Sequence, residues 1–268
     1  MNYEMRRIHP SSFIIPPLLR GAIFDLGSTL IYNQYHNDWP KIRPRMIADL
    51  AADLRAQGLA LDADSFSRAF VRNLTDFDAQ RQTHFKEITT EYTLRTTLAG
   101  LGVALNGLDW PRALAAFFSF SEKSWRLMPG AHETLAELKG RGLRLAIISN
   151  AADAANVQRL IDSHNLRPYF DPIVVSAAAG IRKPNPRIFD FVLNAWKFAP
   201  AEVVMIGDTL GADVLGAKNA GLKSVWVTMQ ADTPDNAAHR ETIVPDATAT
   251  SLAELPDLLG SWRLEVGG

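Results

Sequence analysis

The chain has no cysteine in its 268 residues. This excludes disulfides, thiolate metal sites and a thiol nucleophile. It is compatible with a reducing cytosol, and a cytoplasmic location is the expectation. Charge bias is also missing: 28 basic against 29 acidic residues leave a formal charge of −1. No general attraction to nucleic acid or to an anionic membrane follows from such a balance, so neither is expected as a partner. No run approaches the ~20 apolar residues of a membrane span. The apolar part of residues 1–20, Phe13-Ile14-Ile15, is cut by Pro16-Pro17 and is too short for a signal-peptide core. Residues 1–20 read as a tail lying on the surface. The six histidines do not cluster at metal spacing, and there is neither an internal repeat nor a low-complexity tract.

What is present is 47% hydrophobic, enough for a full core in one large domain or a domain with an insert. The stretch Ala22–Leu30, AIFDLGSTL, is a short apolar run ending in Asp25 and followed by Gly27, Ser28 and Thr29. It reads as a buried strand entering a tight loop. Residues 33–126 then carry four stretches of helical spacing with no strand between them, the last opening at Asp109-Trp110-Pro111 with Asp109 as N-cap. Such a block reads as a separate small bundle, and Pro129-Gly130 marks the return to the main domain. From there strand and helix alternate: Leu143–Ile148, Ile173–Ser176, Val203–Ile206 and Lys223–Thr228 as strands, with helices between them. Alternation with short connections predicts right-handed βαβ units on a parallel sheet. Residues 229–241 read as a polar loop, and a last strand and helix are expected over 247–259.

Four features recur in order at strand ends and loops: Asp25; Ser149-Asn150 at the end of LRLAIISN; Lys183 in GIRKPNP; and Asp208 with Asp213 in VVMIGDTLGAD. As a set they resemble the four motifs of the haloacid dehalogenase (HAD) superfamily, over Ala22 to about Leu222. The resemblance implies an α/β fold, a doubly wound, Rossmann-like parallel sheet built from residues 21–32 and 127–268, with residues 33–126 as an inserted α-helical cap. It implies a phosphatase acting on a small phosphorylated metabolite. Asp25 would be the nucleophile that forms an aspartyl-phosphate. Ser149, Asn150 and Lys183 would bind the phosphoryl group, with Lys183 also neutralising Asp25. Asp25, Asp208, Asp213 and the main-chain carbonyl of Gly27 would hold Mg²⁺. Thr29 would steady the first loop.

One position departs from the family pattern. Two residues after the nucleophile, most HAD phosphatases carry a second Asp that protonates the leaving oxygen; here Gly27 stands there. General acid–base help is typically worth ~10²–10⁴-fold. A proton would then come from water, substrate or a cap residue such as Tyr35 or His36; His84 is a further cap histidine. Two other readings are kept: a dehalogenase-like hydrolase of 2-haloacids, and a catalytically weak HAD-like binding protein. Against the first, dehalogenases need no metal and usually lose the acidic pair that GDTLGAD keeps.

Overall fold

The computed structural model describes residues 19–35 and 39–264; the side chains of residues 39, 40, 263 and 264 are not described. Most of the expected surface tail, and His36, lie outside the described residues. Of the tail's last two residues, Leu19 is buried in the core, while Arg20 is exposed and its main chain bonds to Glu202 and Arg144.

The main sheet has six parallel strands in the spatial order β5-β4-β1-β6-β7-β8. These are β1 (Gly21–Phe24), β4 (Arg144–Ser149), β5 (Ile173–Val175), β6 (Val203–Gly207), β7 (Lys223–Val227) and β8 (Ala247–Ala249). Their sequences are nearly all apolar because both faces are covered. Successive side chains point to opposite faces: Ala22 and Phe24 pack in one core with Leu145, Ile147, Val204 and Ile206, while Ile23 joins Ala146, Ile148, Val203 and Met205 in the other. The helices α5 (Ala131–Gly140), α6 (Ala154–Ser163), α7 (Ser176–Ala179), α8 (Arg187–Trp196), α9 (Leu215–Ala220), α10 (Pro234–His239) and α11 (Leu255–Leu264) complete this layer structure. The chain steps outward from β1 through β4 to β5, then crosses back to β6 on the other side of β1. The carboxyl ends of β1, β4 and β6 therefore flank a topological switch point, the usual ligand crevice of an open α/β sheet.

Four helices lie between residues 33 and 125: α1 (Trp39–Ala56), α2 (Ala63–His84), α3 (Thr90–Gly100) and α4 (Trp110–Glu122). They bury a core of their own, from Ile42, Met46 and Leu50 to Phe66, Phe70, Leu94 and Phe117. Asp109 caps α4 as expected, accepting from the Arg112 N–H. Chain enters and leaves this bundle through a short antiparallel ribbon, β2 (Ile31–Asn33) with β3 (Trp125–Leu127). The equally short β5 and β8 could be read because they fall within the alternation of strand and helix; this ribbon lies outside it and was not expected. Nor was α10, which replaces part of the expected polar loop over 229–241; its start signal is Thr233-Pro234, an N-cap followed by proline at the first helical position. No helix among the described residues is long and apolar enough to cross a membrane.

Candidate active site

Register decides the site. Phe24 pairs with Ile147 on one side and Ile206 on the other, so the next residue, Asp25, emerges level with the ends of both neighbours. Its N–H is held by the Ile206 carbonyl at 2.9 Å. The turn that follows bends at Ser28, whose φ is 60°. Leu26's carbonyl accepts from both Leu30 and Ile31, whereas among the described residues the Gly27 carbonyl accepts no backbone hydrogen bond. Gly27 itself is not in the left-handed region, and a Cβ there would meet only the Trp125 ring, at 3.5 Å.

Lys183 reaches in from the loop after α7. Its Nζ donates to Asp25 Oδ1 and to the Ile148 carbonyl, each at 2.7 Å, and lies 2.6 Å from Asp213 Oδ1. That last contact is an ion pair off the hydrogen-bonding direction, so Asp213 Oδ1 has no aligned donor. A loop lysine is usually solvated, but this one is 2% exposed. Asn150, expected as a phosphate contact, has both ends of its amide on the main chain of Lys183, donating to the carbonyl and accepting from the N–H at 2.9 Å. Ser149 lines the same cavity, and among the described residues its hydroxyl has no protein partner.

The acidic pair follows β6. Asp213 Oδ2 accepts from the Thr209 N–H at 2.9 Å, folding the chain into a π-helical turn over Leu210–Val214. Gly207 must lack a side chain, because a Cβ there would fall on the Asp213 carboxylate. Thr29, fully buried, points its hydroxyl at Asp208 Oδ1, 3.4 Å away. The Asp208 carbonyl accepts from Trp226 Nε1 at 2.8 Å and from Asn236 Nδ2 at 2.9 Å, and Asn236 Oδ1 accepts from the Leu210 N–H. Asn236 is thus the buried brace of the second acidic loop. It sits on the unexpected α10, as do Asp235 and His239, which line the cavity. Of the cap groups named from the sequence, Tyr35 and His84 lie on the surface.

Carboxylate oxygens of Asp25, Asp208 and Asp213 lie within 4.8 Å of one another. Ionised, they carry three negative charges against one on Lys183. Burial is the first cause that raises the Asp25 carboxyl, from 3.8 to about 6; Lys183 pulls it back and Asp213 pushes it further up. Burial likewise raises Asp208 well above the usual range, with Asp25 and Asp213 adding to it. For Lys183, burial alone would favour the neutral amine, but the Asp213 and Asp25 charges outweigh it and hold the ammonium form. The set is short of positive charge, consists of hard oxygen donors and includes an oxygen without an aligned donor. It fits a divalent cation such as Mg²⁺.

The cluster opens into a cavity of about 720 Å³ roofed by the end of α2. There the loop between α2 and α3 docks on the loop that carries Lys183. Lys86 bridges to Ile181, and the Glu87 N–H donates to the Gly180 carbonyl. The Glu87 carboxylate accepts from the Ser176 hydroxyl at 2.6 Å.

A doubly wound sheet with a strand-end aspartate, a buried lysine and an acidic pair at its switch point, under a helical insert, defines a hydrolase of the HAD kind. The chain belongs to the haloacid dehalogenase-like hydrolase family, whose profile matches residues 19–221. Among curated relatives, it is 36% identical over 213 residues to a glyceraldehyde 3-phosphate phosphatase of Methanothermobacter thermautotrophicus, covering 80% of this chain and 87% of that one. It is also 36% identical over 143 residues to a phosphoserine phosphatase of Thermus thermophilus, covering 53% of this chain and 57% of the relative's length. Among solved structures, a 2-haloacid dehalogenase from Pseudomonas syringae pv. Tomato superposes with a TM-score of 0.64 at 24% identity, over 91% of this chain and 100% of that one; at that identity the likeness speaks for the fold alone.

Proposed function

We propose that the chain is a Mg²⁺-dependent phosphatase of small phosphorylated metabolites, working through an aspartyl-phosphate on Asp25. The observation that carries this reading is the acidic pair beside Asp25: three buried carboxylates sharing one lysine need a further cation, whereas dehalogenation needs none. The Asp25 carboxylate attacks phosphorus, the P–O bond to the alcohol breaks, and water then hydrolyses the acyl phosphate. Ser149 offers its free hydroxyl to a phosphoryl oxygen. Lys183 keeps Asp25 ionised and in place, and adds its charge to the phosphoryl site; Asn150 fixes the main chain of Lys183. Asp25, Asp208 and the Gly27 carbonyl would hold the ion, with Asp213 as the third carboxylate of the set. When bound, it supplies the charge that lets an anionic ester approach these carboxylates. Residues 33–126 act as the cap, excluding water while the ester is bound.

Phosphate release from a broad ester panel should appear with Mg²⁺ and vanish in EDTA. Mg²⁺ should also raise the melting temperature. That increment should be small at pH 5 and grow through pH 6–7, because the ion competes with protons held by the raised Asp25 and Asp208 carboxyls. Chloride release from 2-chloropropionate without metal, or rate and melting both indifferent to Mg²⁺ and EDTA, would overturn the reading.

Gly27 makes a second prediction. Without a carboxylate two residues after Asp25, the leaving oxygen departs poorly unless its own pKa is low, so aryl phosphates should outpace alkyl phosphates steeply. Since the backbone of Gly27 is ordinary and a Cβ there is in normal contact with Trp125, Gly27→Asp should fold. It should speed alkyl esters about tenfold to hundredfold and flatten the dependence on leaving-group pKa. Single-turnover rates against leaving-group pKa for both proteins test this; parallel slopes would show that position 27 has no part in proton transfer.

A further inference from the structure

We propose that a second cavity, of about 480 Å³ among α1, α2 and α4, receives the organic part of the substrate, and that this part is a flat apolar group bearing a carboxylate. The proposal rests on the phosphatase reading of the Asp25 site and names the class of ester that site takes. The two cavities share Trp125 and Asn156 as wall residues. Trp125 is also the ring that stands over Gly27, two residues from Asp25. A group esterified to a phosphoryl on Asp25 and extending past Trp125 therefore enters the bundle.

The walls state what fits. Met46, Leu74, Phe117 and Phe118 make most of the lining apolar, and Phe117 and Phe118 meet edge to face with centroids 4.9 Å apart. Ring edges and faces of this kind favour a flat, aromatic guest. Arg81 lines the cavity too, but its guanidinium is already bound to Asp78 at 3.0 Å and to the Ile88 carbonyl at 2.9 Å. Half-buried Arg43 differs: among the described residues it has neither a carboxylate nor a hydrogen-bond partner. A guanidinium without an anion at an apolar wall is matched by a planar carboxylate on the guest. Asn156 has no donor for its buried Oδ1, so nothing among the described residues fixes how its amide faces at the junction. Cavities of 300–1,000 Å³ are typical of small-molecule sites, and a three-carbon body would leave most of this one wet.

The test uses propyl phosphate, 3-phenylpropyl phosphate and 3-(4-carboxyphenyl)propyl phosphate, whose ester oxygens are nearly equal as leaving groups. The ring should raise kcat/KM by about tenfold or more, the effect of moving a phenyl group out of water. The carboxylate should add about another tenfold, as expected of a charge-assisted bidentate pair. In Arg43→Gln the ratio between the second and third esters should collapse toward one, and Arg43→Lys should retain part of it. Equal kcat/KM for all three esters, or a carboxylate preference that survives Arg43→Gln, would overturn the proposal. If neither these alkyl esters nor an aryl phosphate is turned over, the phosphatase reading fails by itself. Calorimetric binding of the same three compounds to Asp25→Asn then decides the cavity: affinities graded in the same order support it, and ungraded affinities overturn it.

Discussion

Asp25→Asn is expected to abolish turnover and, in the metal-free protein, to gain stability relative to the native chain as pH rises. The first half follows from the nucleophile: an amide cannot form the acyl phosphate, so activity should fall by several orders of magnitude, to about the uncatalysed background. The second half follows from the carboxyl's environment. Burial and the Asp213 charge raise it from 3.8 to about 6 despite Lys183. A raised acid contributes stability that is fully present below about pH 4 and is lost as pH climbs through about 6. Ionised Asp25 therefore costs the fold up to about 3 kcal/mol at pH 8, from two pKa units at 1.36 kcal/mol each. Asparagine has no such titration. The stability difference between the two proteins should drift toward the variant by up to about 3 kcal/mol between pH 4 and pH 8, and Mg²⁺ should narrow it. Chemical denaturation in EDTA at several pH values measures this. Parallel stability curves would mean that Asp25 is not held among like charges, and a variant with a tenth of native activity would remove the covalent mechanism.

Lys183→Met should damage both fold and function. The side chain is nearly the same length and equally able to lie buried, so packing is largely kept while the charge is deleted. Asp25 and Asp213 lose their cation, and three buried carboxylates are left to repel one another. Removing one partner of a buried ion pair typically costs about 3–5 kcal/mol. Because the remaining groups can take up protons, the loss should be greatest near pH 8 and small near pH 5, and Mg²⁺ should recover part of it. Turnover should fall by about 10³-fold, the scale seen when a preorganised electrostatic partner is removed. A pH-independent loss of stability would point to simple repacking of the Lys183 loop. Retained activity would move the neutralising role elsewhere.

Much of this architecture could be read from local pattern. The central strands of the main sheet announce themselves because they are buried on both faces, as Ile23 and Phe24 show by packing into opposite cores. Asp109 could be placed as an N-cap because capping depends on residues three apart. The order of Asp25, Ser149, Lys183 and Asp208 was readable for the same reason: each sits at the end of a strand or in a Pro-rich loop, and both leave local marks. Less was legible where short strands fall outside the alternation of strand and helix, as β2 and β3 do, or where a helix of six residues hides in polar sequence, as α10 does.

By itself, then, the sequence determined the fold class, the chain order of the acidic, hydroxyl and basic groups, and the absence of a second aspartate at Gly27. These are properties of short windows, and hydrophobic period and turn chemistry encode them. Tertiary structure alone decided what those groups do to one another. Lys183 is 158 residues from Asp25 along the chain, yet its ammonium sits 2.7 Å from that carboxylate; only the parallel register of β1 between β4 and β6 brings them together. Asn150 was read as a phosphate ligand, and the fold also ties both ends of its amide to the Lys183 main chain. Asn236 carried no mark at all, since a lone asparagine in a polar stretch becomes the brace of Asp208 only when α10 packs over the acidic loop. Burial and charge coupling belong to the assembled core. They act between residues that share no window of sequence, and they turn three ordinary aspartates and one surface-like lysine into a reactive cluster.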